Sequence, residues 1–161
     1  MIVVSNTSPI INLAVVGRLD LLRQLYGTTI IPRIVHDEFV SVVKGRDIAI
    51  DIESFDWIET RQVSNQTAVA SLQLELDEGE AEAIVLGVEL HADLLLLDER
   101  KGRAVATRLG LKFIGLLGVL IEAKQKGLIV SIKPILDDLT KKAGFWINSK
   151  LYEHVLKIAG E

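Results

Sequence analysis

Asp93-Leu94-Leu95-Leu96-Leu97-Asp98 is the stretch from which the fold is read. A short, uninterrupted apolar run without alternation is the pattern of a strand covered on both faces, as in a parallel sheet sandwiched between helices. Downstream, a helix is expected over 99–109, a strand over 112–114 and a helix through Gly118 to Lys126, which Gly127 ends in the C′ role. Two further helices, about 132–143 and 149–159, finish the chain. Upstream, Asp77 starts a strongly patterned helix to about Leu90, after a polar helix entry at Ser64-Asn65-Gln66-Thr67 and a strand at 57–60. The stretch 48–53 reads as a short helix or loop. Pro32 opens a helix to about Val43, and strands fall at 28–31 and 2–5, with a helix over 19–25 between them. Thr7-Ser8-Pro9 places a capping residue and a proline where a first helix begins. Strands alternating with helices of about 10–15 residues indicate crossover units. The expected fold is a three-layer α/β/α arrangement around a mostly parallel sheet, with residues 1–161 forming one domain.

Composition narrows the function classes. With 161 residues and 49% hydrophobic content, the chain is long and apolar enough to bury a sizeable core. The absence of cysteine excludes disulfide frameworks, thiolate metal sites and cysteine nucleophiles. Met1-Ile2-Val3-Val4 has no basic leader and reads as a strand, and no apolar run approaches the ~20 residues of a membrane span. A cytoplasmic protein is expected. The net charge of −4 opposes a general nucleic-acid binder, which collects phosphates on a basic face. A metal site built from acids makes its own negative charge, which bound cations would neutralise, so the acidic total is compatible with such a site without being evidence for one.

Four polar positions stand out. Asn6 follows the strand Ile2-Val3-Val4-Ser5, and Asp98 follows the leucine run. Carboxyl ends of parallel strands face the crevice in which such folds bind ligands. Glu38 shares a helical stripe with Ile34 and Val42, so its carboxylate emerges from an apolar face and needs a partner. Glu80 lies near the start of its helix. Oxygen donors converging at one crevice suit a hard divalent ion, Mg²⁺ or Mn²⁺. Each position also has a purely structural explanation. Asn6 fits an N-cap, Asp77 and Glu80 fit a capping box, and Asp98-Glu99-Arg100 fits a helix start. Glu82 is expected on a different face from Glu80. The three histidines lack metal-ligand spacing, and no phosphate-binding loop, dinucleotide fingerprint or nucleophile elbow is present.

The segments Val3-Val4-Ser5-Asn6-Thr7-Ser8-Pro9-Ile10-Ile11, Ile31-Pro32 with Val35-His36-Asp37-Glu38, Gly79-Glu80-Ala81-Glu82-Ala83-Ile84, Leu94 to Asp98 with Arg100 to Arg103, and Gly115 to Leu120 together resemble a PIN domain. More narrowly, they resemble prokaryotic PIN-like proteins that begin Asn-Thr-Ser-Pro. The resemblance implies metal-dependent cleavage of RNA, often by the toxin of a toxin–antitoxin pair. It carries the four acidic positions of the family onto Asn6, Glu38, Glu80 and Asp98, with Thr7 or Ser8 as the hydroxyl beside the first. Asn6 departs from the family's aspartate: its carbonyl can ligate a hard ion but brings no charge.

The expected function is an endoribonuclease with Glu38, Glu80 and Asp98 catalytic. One or two Mg²⁺ or Mn²⁺ ions would be held by them together with Asn6, while Arg100, Lys101 and Arg103 contact the RNA backbone. The expected partners are an RNA substrate, an antitoxin-like protein and a second copy of the chain, the last also favoured by a mean hydropathy of +0.35. The alternative is a weak or inactive PIN-like module that acts by binding, because the first acid is Asn6.

Overall fold

A computed structural model describes all 161 residues. The order of elements is β1 (Val3–Ser5), α1 (Thr7–Val15), α2 (Asp20–Tyr26), β2 (Thr29–Pro32), α3 (Arg33–Gly45), β3 (Ile58–Arg61), α4 (Gln66–Leu72) and α5 (Glu78–Glu89). There follow β4 (Leu94–Leu96), α6 (Arg100–Arg108), β5 (Phe113–Ile114), α7 (Leu116–Gln125), α8 (Lys133–Lys142) and α9 (Ser149–Ile158). A single 3-10 turn at Ile52–Ser54 fills the stretch for which the sequence left helix or loop open. No helix is long and apolar enough to cross a membrane.

The five strands form one sheet in the order β3-β2-β1-β4-β5, and every neighbouring pair is parallel. Two cores flank it, and β1, β2, β4 and β5 feed both by simple alternation, whereas β3 adds only Ile58, to the first of them. Val3, Ile31 and Leu96 enter the core built with α1, α2, α3 and the helices α7 to α9. Val4, Ile30, Leu95 and Leu97 enter the core built with α4, α5 and α6. The leucine run therefore reads as continuous because both of its faces are covered.

Helix α5 lies where the strongly patterned helix from Asp77 was expected, and it is buried on all sides. Every residue from Gly79 to Gly87 is buried, Glu80 and Glu82 included, because the helix is packed among the sheet, α3, α4 and α6. Small residues make this possible: a Cβ on Gly87 would stand 2.7 Å from Leu95 Cδ2. Gly127, at φ +73°, ends α7 as its position in the sequence led one to expect.

In this strand order the chain runs one way from β1 to β2 and the other way from β4 to β5. The reversal falls between β1 and β4, the place at which open α/β sheets form their ligand crevice. Asn6 leaves the carboxyl end of β1, and Asp98 lies two residues beyond the end of β4.

Candidate functional site

Asn6 occupies the N-cap position of α1, yet its side chain makes no capping hydrogen bond. Its backbone N–H donates to the Leu96 carbonyl at 3.1 Å, which ties the end of β1 to β4. The amide is left buried beside a cavity of about 240 Å³ whose lining also includes Thr7, Glu38, Arg46 and Asp77. Capping thus accounts for the position of Asn6 but not for its side chain.

Glu38 sits on the flank of the buried stripe of α3, whose centre is Val35, Phe39 and Val43. Its partner is the Thr7 hydroxyl, which donates to Oε2. Burial pushes the carboxyl above its ordinary range, the Thr7 hydroxyl pulls it back, and Asp77 and Glu78 raise it further. Both Glu38 oxygens lie against Gly79, where a Cβ would stand 2.9 Å from each.

Glu80 is buried in the first turn of α5. Asp77 Oδ1 accepts from the Glu80 N–H at 2.8 Å, so half of the expected capping box forms. The Glu80 side chain does not return to cap. Its Oε2 is buried with no hydrogen-bond partner and faces Gly102, whose Cβ would stand 3.1 Å away. Burial first, and then the adjacent Asp77 carboxylate, push Glu80 up to about 8.

Asp98 does not cap α6; Glu99 holds that position, without a side-chain bond. Asp98 Oδ1 instead accepts from the Leu116 N–H at the start of α7, at 2.8 Å, while Oδ2 is buried and unpartnered. Burial raises Asp98; the Leu116 amide and Arg103 oppose it, and Glu99 adds to it. A Cβ on Gly115 would stand 2.8 Å from Asp98 Oδ1 and would run into the Arg103 guanidinium.

Three carboxylates, on α3, on α5 and in the loop between β4 and α6, thus each rest on a glycine. Asp77 lies within electrostatic reach of Glu38 and Glu80, and Glu99 of Glu80 and Asp98. The acids are linked but not gathered onto one point: Glu38 lines the smaller cavity, Asp98 lines a second of about 700 Å³, and Glu80 lines neither. Ser8, Asn12 and Glu99 belong to both cavities. As the side chains stand, no three histidine or carboxylate groups are arranged to hold a metal ion. The donor chemistry nevertheless suits a hard divalent ion, since carboxylate and amide oxygens are its preferred ligands. Two of the acids keep a buried oxygen committed to nothing else.

The expected cations divide. Arg103 turns inward: its Nε donates to the Leu97 carbonyl at 2.9 Å, its Nη2 lies 3.6 Å from Asp98 Oδ1, and its guanidinium covers Phe113. Arg100 and Lys101 are exposed and line neither cavity, although Lys101 is near enough to lower Glu80. Thr7 is committed to Glu38, and Ser8 Oγ accepts from Asn12 Nδ2 at 3.3 Å. Sequence reasoning passed over Asn12 and read Glu99 only as part of a helix start. Asn12 was signalled as a polar residue, four positions from Ser8, inside the apolar run of α1. Glu82 does point away from Glu80, but into a buried space where burial raises its carboxyl and Gln66 and the Ile34 amide lower it.

An open parallel sheet with acids from several elements at its switch point defines a protein whose crevice suits cation-assisted chemistry. The model of a family described as PIN domain matches residues 2–161, and the chain belongs to that family. Proteins of this family are generally nucleases, often in toxin–antitoxin systems, and generally use divalent metal ions. No curated protein matches the chain.

Proposed function

We propose that the protein is a metal-dependent endoribonuclease that cleaves RNA as the toxin of a toxin–antitoxin pair. The observation that supports this best is the pair of buried, unpartnered carboxylate oxygens, Glu80 Oε2 and Asp98 Oδ2, at the switch point of a PIN fold. Leaving such groups unsatisfied costs stability, and a function that needs them free offsets that cost. Glu38, Glu80 and Asp98 are the residues to hold Mg²⁺ or Mn²⁺, with the Asn6 carbonyl as a neutral donor. When bound, the ion lowers the pKa of a water and offsets charge on the phosphate.

The chain's own groups orient the rest. Thr7 fixes the Glu38 carboxylate, the Leu116 amide fixes Asp98 Oδ1, and Arg103 sets a positive charge beside Asp98 at the larger cavity. A phosphodiester lying there would be attacked in line by water, which gives up a proton to solvent as its bond to phosphorus forms; the P–O3′ bond breaks and the 3′ oxygen leaves as the alcohol, taking a proton from solvent. Calorimetric titration of Mn²⁺ into the parent and Asp98→Ala proteins tests the reading. The parent binds and the variant does not, and RNA cleavage is lost with the ion. Cleavage that survives simultaneous alanine substitution of Glu38, Glu80 and Asp98 would refute it.

A second reading rests on Asn6 and on the carboxylates being spread over two cavities: a PIN-fold module with little turnover that acts by binding an antitoxin-like partner or a second copy. Asn6→Asp separates the two.

A further inference from the structure

The lining of the larger cavity divides by segment. The first turns of α1 and α6 supply Ser8 and Arg103 and the loop after β4 supplies Asp98, whereas the residues around the α8–α9 connection supply Phe145, Trp146 and Leu151. Gly144, at φ +67°, turns the chain at the end of α8, and the Phe145 N–H then donates to the Leu139 carbonyl at 3.0 Å. This anchors the segment. Phe145 and Ile147 are half-buried, and Trp146 between them is turned out, 80% exposed. Leu74 and Val130 are more exposed still, but neither lines this cavity. Position rather than exposure therefore distinguishes Trp146.

The geometry points to Trp146 as a stacking platform for one unpaired nucleobase of the substrate, an inference that rests on the nuclease reading above. A strand whose phosphate lies at Asp98 and Arg103 carries its bases toward the apolar part of the same cavity. An indole face accepts any base, because every base has a π-face, and the contact needs no hydrogen-bond code. A base inside a duplex has both faces occupied already. The substrate class this selects is single-stranded RNA, or an unpaired loop or end, over duplex.

The other tryptophan, Trp57, packs edge-on against Phe55 at 5.8 Å, so Trp57→Phe leaves Trp146 as the single tryptophan, and excitation at the red edge of the absorption band, where tyrosine does not absorb, reports on it alone. This protein is titrated with a single-stranded RNA oligonucleotide and with the same oligonucleotide annealed to its complement, with Ca²⁺ in place of Mg²⁺. Quenching by the single strand and not by the duplex is expected. In gel-shift titrations against the parent, Trp146→Ala weakens single-strand binding about 5- to 150-fold, while Trp146→Phe retains most of it. In cleavage assays the alanine variant raises KM with little change in kcat.

Unchanged fluorescence at saturation, or an alanine variant that binds as tightly as the parent, overturns the role of Trp146 and leaves the nuclease reading standing. Quenching by an unrelated antitoxin-like protein but not by RNA overturns it in favour of a protein contact. Failure of the parent to bind RNA at all removes both.

Discussion

Glu80→Gln replaces a buried carboxylate by an amide of the same shape, and its consequences follow from the first turn of α5. Burial and Asp77 hold the folded-state pKa of Glu80 at about 8, against 4.5 for an ordinary glutamate. The folded protein therefore binds the proton more tightly than the unfolded chain. The stabilisation is complete below pH 4.5 and is lost as pH rises through about 8. The whole interval corresponds to about 5 kcal/mol, and screening by solvent reduces it to about 2. A glutamine amide is neutral at every pH, so this contribution is absent from Glu80→Gln. Urea denaturation in EDTA at pH 6 and pH 9 should show the parent losing about 1 kcal/mol between the two, because part of the interval already lies below pH 6, and Glu80→Gln losing distinctly less. Mn²⁺ at 100 times its dissociation constant should return about 2.7 kcal/mol to the parent at pH 9 and almost nothing to the variant. Parallel pH–stability curves for the two proteins, or equal stabilisation of both by Mn²⁺, would refute the reasoning.

Two other substitutions probe the remaining corners of the site. Gly115→Ala puts a Cβ 2.8 Å from Asp98 Oδ1 and into Arg103, so both side chains must move and the Leu116 N–H loses its acceptor. A stability loss of about 1–3 kcal/mol in urea titration is expected, together with weakened Mn²⁺ binding by calorimetry. Asn6→Asp adds a charge at the end of β1. At about 4 Å and an effective dielectric of about 20 the added attraction for a unit charge is about 4 kcal/mol; desolvation of the new carboxylate offsets much of it, leaving Mn²⁺ binding on the order of tenfold to a hundredfold tighter. Ribonuclease activity rising in proportion identifies a working but weakened parent enzyme; activity appearing from none identifies the binding module.

The sequence by itself determined the layers. Runs such as Leu94 to Leu97, the prolines and the Gly127 stop act within a few residues of themselves, and they placed the strands and most helices within a residue or two of where they lie; of α4 only the entry was marked, and 48–53 was left open as helix or loop. It also singled out Asn6, Glu38, Glu80 and Asp98 as polar groups at strand ends, near a helix start or on an apolar face. What it left open was whether each was a cap or something more, because a cap and a ligand have the same spacing along the chain. Only the tertiary structure decided that. Asn6 takes the N-cap position without capping, Asp98 serves a different helix through Leu116, and Glu80 and Asp98 keep buried oxygens free. Glu82, Asn12, Glu99 and Trp146 acquire meaning the same way, since what surrounds a side chain is set by segments tens of residues away. Local patterning is written in the chain, but burial and charge coupling arise only once the crossovers bring β1, β4 and the helices α1, α3, α5, α6 and α7 together around one crevice.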